Sequence, residues 1–310
     1  MAGLHGLSSG PGRAVIVLCV TQILGWGALF YPPGLTMPHI AAAHGWSLAQ
    51  ALLGFSIGLA VSGLTAPFSC SLIERHGGHY IMAGGALIGA LGLLLLPFAS
   101  NHWLYLASWS LLGVAMACNL YDPAFTALAR IFGAASRRPI TLVTFVGGLA
   151  STFSWPTTQM LISAGGWRTV YFVFAGVMAF VIAPLYAFVL PRNAVYVPPT
   201  VPEGVSPPVV AKTVPSAGAP FLLMAAGFAC HALMQSGTLS HLLTILQRGG
   251  IDASTAVFIG ALFGPAQVLT RIADFVSGGK LHPLWLVRIA MASMACAFTL
   301  LVAAGFSPGV

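Results

Sequence analysis

Apolar residues come in long uninterrupted runs along the chain, and polar residues gather in the short intervals between them. Nine such runs predict helices at approximately 14–35, 47–70, 79–99, 103–131, 139–164, 169–190, 220–245, 253–275 and 283–304. A helix rising 1.5 Å per residue needs about 20 residues to cross a hydrocarbon core of roughly 30 Å. A transmembrane barrel would instead show alternating segments of about 10 residues. The pattern therefore predicts an all-α fold, a polytopic membrane helical bundle with about nine transmembrane helices. The first run follows Arg13 as a secretory signal might, but it is longer than a typical signal core and reads as the first span.

Composition agrees with the pattern. Hydrophobic residues make up 58% of the chain and charged residues 5%, against about 25% charged in a soluble domain. The few cations carry topology. With a cytoplasmic N-terminus, Arg13, Arg75, Arg130, Arg137, Arg138, Arg192, Lys212, Arg271, Lys280 and Arg288 fall inside or at inner helix ends, and Arg168 and Arg248 fall outside. That asymmetry is the positive-inside signature of a multi-pass protein of the cell (cytoplasmic or inner) membrane. The net charge of +7 is spread over the inner loops, so there is no basic face for nucleic acid. Cys19, Cys70, Cys118, Cys230 and Cys296 have neither disulfide nor metal-ligand spacing. No metal and no cofactor is expected.

The intervals between runs are short except at 191–218, a Pro- and Val-rich stretch carrying Arg192, Glu203 and Lys212. Such a composition favours an extended linker. It divides the chain into an N-terminal six-helix bundle at 1–190, a cytoplasmic linker at 191–218 and a C-terminal group of three helices at 219–310. Gly pairs such as Gly54–Gly58 and Gly85–Gly89 have the spacing of small residues that let helices approach closely.

Charge is concentrated in one short place, CSLIERHGGHY at 70–80, in the turn between the second and third runs. Here the chain resembles the major facilitator superfamily. The signature of that family in this turn is a small residue, three residues, an acid, Arg, any residue, Gly and two basic residues. Glu74, Arg75 and Gly77 match, Cys70 replaces the first Gly, and Gly78-His79 stands where the basic pair would be. A poorer copy, TRIADFVSGGK, follows the eighth run and supplies Arg271, Asp274, Gly278 and Lys280. ILGWGALFYPP, LYDPAF, GGWRTVYF and GPAQVLTRI are similar to the monocarboxylate-transporter-like branch. The resemblance implies a secondary transporter of the major facilitator type with twelve spans. Nine are present, so the chain reads as a fragment or a truncated product. It also implies a conformational latch at the charged turn, built from Glu74, Arg75, Gly77, Asp122, Arg130, Arg271 and Asp274.

Ionisable and polar groups inside spans mark the candidate path, because burying them in lipid costs roughly 2.5–3.5 kcal/mol for a charge. Asp122, followed by Pro123, is the one acid well within a run. It either joins the latch by pairing with Arg75 or Arg130, or faces a central cavity and takes up a coupling proton, or stabilises a kink. His231 and His241 lie about 80° apart around one helix; each is a proton acceptor or a satisfied interhelical His. Gln22, Asn119, Gln159, Gln235, Ser236 and Gln267 either line the path or bond between helices. Tyr31 and Trp26 flank Gly25, Gly27, Pro32 and Pro33, a composition that suits either a broken helix at a binding site or a simple packing face. Arg168 reads as a basic residue of the interfacial belt or a weak electropositive mouth.

Catalysis is not indicated. No GxSxG, HExxH or GxxxxGK[ST] occurs. The reading is a transporter, not an enzyme, of a small organic solute. The resemblance adds a monocarboxylate and proton coupling, with solute, protons and lipid bilayer as the partners. The alternatives are a drug or amphiphile efflux antiporter, disfavoured because GGLASTFSWPTTQ lacks GxxxGPxxGG, and a non-transporting truncated membrane protein.

Overall fold

The computed structural model describes residues 10–192, 218–276 and 283–303. Most of the Pro-rich interval, with Glu203 and Lys212, lies outside the described residues, as do Gly278 and Lys280. Among the described residues the helices line up as nine rods. The first is α1 (Gly10–Leu29) with α2 (Pro33–His44), and the second and third are α3 (Leu48–His76) and α4 (Gly78–Leu95). The fourth is α5 (His102–Asn119) with α6 (Tyr121–Phe132), and the fifth α7 (Arg137–Gly147) with α8 (Ala150–Gly165). The sixth is α9 (Trp167–Val177), which continues through π-helical turns at Met178–Ile182 and Leu185–Val189 around Pro184. Then come α10 (Ala219–Arg248), α11 (Ala253–Ala261) with α12 (Phe263–Val276), and α13 (Pro283–Ala303).

Among the described residues, five rods are long and apolar enough to cross a membrane outright: Gly10–His44, Leu48–His76, Gly78–Phe98, His102–Ala135 and Trp167–Val189. The rod at 137–165 packs against α1, α9, α11 and α12, and α10 meets α2 and α11.

Several rods are broken midway, where the sequence pattern predicts continuous spans. In the first, fourth and eighth rods the cause is proline. Pro123 has no N–H, so the Asn119 carbonyl loses its helical partner. Leu120 turns to an extended conformation there (φ −84°, ψ −156°). The Gln22 amide of α1 donates to the orphaned Asn119 carbonyl at 2.7 Å. Pro265 frees the Ala261 carbonyl in the same way, and the Thr152 hydroxyl of α8 donates to it at 3.0 Å. Around Pro32-Pro33 the Tyr31 N–H reaches back to the Trp26 carbonyl at 3.3 Å. That leaves the Gly27 carbonyl to Ser154 Oγ at 2.7 Å, while the Tyr31 carbonyl accepts from the Gly34 N–H at 3.3 Å and from Trp155 Nε1 at 3.0 Å. Each break is thus satisfied by a side chain of another rod.

Elsewhere the rods touch through glycine. A Cβ at Gly54 would collide with the rings of Trp109 and Tyr105, and one at Gly113 with the Gly58 carbonyl. Gly85 meets Cys118 and Gly89 meets Ala115 and Met178, so the glycine pairs read from spacing are contact points of α3, α4 and α5. Tyr105 closes this core by donating its hydroxyl to the Ala51 carbonyl at 2.6 Å.

Two outcomes follow from these contacts. Gly113→Val should destabilise the bundle by at least about 1–3 kcal/mol, read as a lower unfolding midpoint in detergent. Gly84→Val should not, because nothing lies within 4 Å of a Cβ there. Gln22→Leu strips a side-chain donor from the carbonyl of a fully buried residue and should cost roughly 1–3 kcal/mol in the same assay.

Candidate functional site

The helix breaks open a cavity of about 780 Å³. Residues at three breaks line it: Phe30 and Tyr31 between α1 and α2, Tyr121 opening α6, and Phe263 opening α12. Trp26 of α1 and Gln267 of α12 flank them, and Met294, Ala297 and Phe298 of α13 complete that side. Irregular backbone at such depth is tolerated where it borders a cavity, and it exposes side chains that a continuous helix would turn away.

The wall from α1 and α6 is a connected aromatic array. Trp26 lies 5.0 Å from Phe30 in an edge arrangement and 4.9 Å from Tyr121. Phe30 meets Tyr31 at 5.5 Å, and Tyr31 meets Trp155 at 5.6 Å. These are the separations that aromatic quadrupoles favour. A different surface comes from α10. His231, Gln235 and Thr238 recur at helical spacing, with Leu239 and Leu242 beside them. The described lining residues hold no Lys, Arg, Asp or Glu. Two enclosed nitrogens in the lining, Trp26 Nε1 and His231 Nδ1, lack a hydrogen-bond partner.

Of the path residues expected from sequence, Tyr31, Trp26, His231, Gln235, Ser236 and Gln267 converge on this cavity. Asn119 and Gln22 do not; they are fully buried and bond each other's rods. Gln159 is half-buried away from the lining, and His241 points outward. The cavity residues that sequence reasoning missed are Phe30, Tyr121, Thr238, Phe263 and Phe298. The signal for three of them was present in Pro32, Pro123 and Pro265, each of which breaks its span one or two residues away.

Asp122 is exposed and lies in a groove against Gly63, Ala66, Pro67 and Cys70 of α3, not on the cavity. Pro123 is the physical reason. By ending α5 it makes Asp122 the acid in the first turn of a new helix, where the helix dipole favours a negative charge. Asp122, Glu74 and Arg75 form no ion pair with a described residue, so the expected pairing of Asp122 with Arg75 or Arg130 is not formed.

The charged stretch is also less of a loop than expected. With no breaker before Gly77, α3 runs on through Glu74, Arg75 and His76, and a single residue separates it from α4. Gly77 has φ +88°, a region that L side chains avoid. The Ile73 carbonyl accepts from the Gly77 N–H at 2.8 Å and from Arg130 Nη1 at 3.3 Å. A Cβ on Gly77 would come within 2.6 Å of that same Nη1. A cation from α6 therefore caps the C-terminal end of α3, where the helix dipole is negative. Arg271 and Asp274 fall on α12, where their side chains are outside the described set. Arg168 stacks over Trp167 at 4.6 Å and donates to the Pro97 carbonyl at 3.2 Å, which ties α9 to the end of α4.

Comparison with known proteins agrees with this architecture. A family model described as Major Facilitator Superfamily matches residues 16–310. Human monocarboxylate transporter 11 is 28% identical over 172 residues, covering 55% of this chain and 36% of the relative. The match thus spans little more than a third of that relative's length. With its bundle of apolar helices and a family match along nearly its whole length, this multi-pass membrane chain belongs to the Major Facilitator Superfamily.

Proposed function

We propose that the chain works in a secondary active transporter that carries a small organic solute across the cell membrane by alternating access, with a monocarboxylate as the solute class and protons as the coupling ion. The observation that carries this reading is the cavity of about 780 Å³ framed by three broken helices. Substrate sites of secondary transporters lie at such breaks near the bilayer midplane. The solute class comes from the similarity to a protein named as a monocarboxylate transporter.

His231 is the proton acceptor in this reading. It is the imidazole in the cavity lining, a side chain that can both accept and donate a proton. Residues 1–190 and 219–310 are the moving bodies, joined by the interval 191–218, and the N-terminus is cytoplasmic. The latch is the α3–α4 corner: Glu74, Arg75 and Gly77 with the Arg130 cap, together with Arg271 and Asp274. Asp122 belongs to the same face through its groove on α3.

The test is uptake of labelled monocarboxylates by proteoliposomes holding the product of the native gene. An inward proton gradient should drive accumulation, and His231→Gln should remove the dependence on that gradient without loss of inserted protein. Gradient-independent uptake by the wild type would remove proton coupling. Arg130→Ala deletes a solvent-screened charged hydrogen bond at the α3 end, and it should slow transport while insertion stays intact. Unchanged rates in that variant would remove the latch.

A further inference from the structure

We infer, resting on the transport reading above, that the solute this cavity takes is a planar aromatic carboxylate and not a short aliphatic acid. Size is the first argument. A void that holds benzene measures about 150 Å³, whereas this cavity measures about 780 Å³. A short aliphatic acid would leave most of it filled with water. A one- or two-ring acid would bury its body against the walls, as ligands do in pockets of this size.

The chemistry of the walls is the second argument. Trp26 meets Phe30 at 5.0 Å and 67°, and Phe30 meets Tyr31 at 5.5 Å and 84°. An array already built edge to face admits one further ring in the same pattern. A saturated ring of equal volume has no quadrupole with which to join it. Each favourable ring contact corresponds to roughly three- to tenfold in affinity.

Polarity supplies the third argument. His231, Gln235 and Thr238 follow one another along a single face of α10, while the lining from α1 is aromatic. A ligand matching both surfaces has a flat apolar body with one hydrogen-bonding head. A carboxylate head meets His231 and the Gln235 amide, both able to donate a hydrogen bond.

Binding of radiolabelled indole-3-acetate to the purified native gene product in nanodiscs tests this directly. Phenylacetate should displace the label, and cyclohexylacetate and lactate should do so at least about tenfold less well. Trp26→Leu and Tyr121→Leu should each weaken indole-3-acetate by roughly three- to tenfold. Phe172→Leu, whose ring packs on Phe98 at the outer surface, should not. If lactate or cyclohexylacetate competes as well as phenylacetate, the aromatic preference is wrong and the transport reading stands. If none of these acids binds, both are wrong. The competitor series uses the wild-type protein, so the inference stays testable even if the Trp26 variant fails to fold.

Discussion

A carbonyl without a partner cannot be left facing hydrocarbon, and that constraint organises this molecule. Proline at 33, 123 and 265 removes helical donors inside spans that must otherwise satisfy themselves. Side chains of other rods bond carbonyls at these breaks: Gln22 that of Asn119, Thr152 that of Ala261, and Ser154 and Trp155 those of Gly27 and Tyr31. The breaks are held open by cross-links between rods. The cavity is a result of that satisfaction, since the residues exposed at the breaks are the ones that line it.

The same bundle has a stiff part and a compliant part. Where α3, α4 and α5 meet, glycines bring backbone against backbone, and the Gly113–Gly58 contact leaves no room for sliding. Around the cavity the contacts are rings and hydrogen bonds across broken helices. The Arg130 cap sits where the two regimes meet, joining the end of α3 to the lower half of a broken rod.

Much of this was legible in the sequence. The nine rods, their order and the residues His231, Gln235, Gln267 and Tyr31 follow from hydropathy and from the cost of polar groups in lipid. The packing role of Gly54, Gly58, Gly85 and Gly89 follows from spacing. What hydropathy could not carry was direction within a rod. Asp122 and Asn119 are close in sequence and both look like path residues. Yet Pro123 ends one helix and starts another between them and the rest of the span, sending Asp122 to a groove on α3 and burying Asn119 beneath Gln22. The aromatic wall stayed hidden for a related reason. Phe30, Tyr121 and Phe263 are indistinguishable from lipid-facing aromatics until the breaks turn them inward. Charge pairing was equally invisible: Arg75 and Arg130 read as partners for Asp122, but the folded corner uses Arg130 on the Ile73 carbonyl instead.

The side chains that satisfy the freed carbonyls come from far along the chain, 97 residues for Gln22 and Asn119, 109 for Thr152 and Ala261, and 127 for Ser154 and Gly27. During synthesis, therefore, the first rod enters the membrane with its bend unsupported until the fifth rod emerges. The fourth can complete its own break at once, because Gln22 is already there. The eighth finds Thr152 waiting. Biogenesis is consequently staggered: of the three, the earliest span alone has to wait for a later one before its bend is supported.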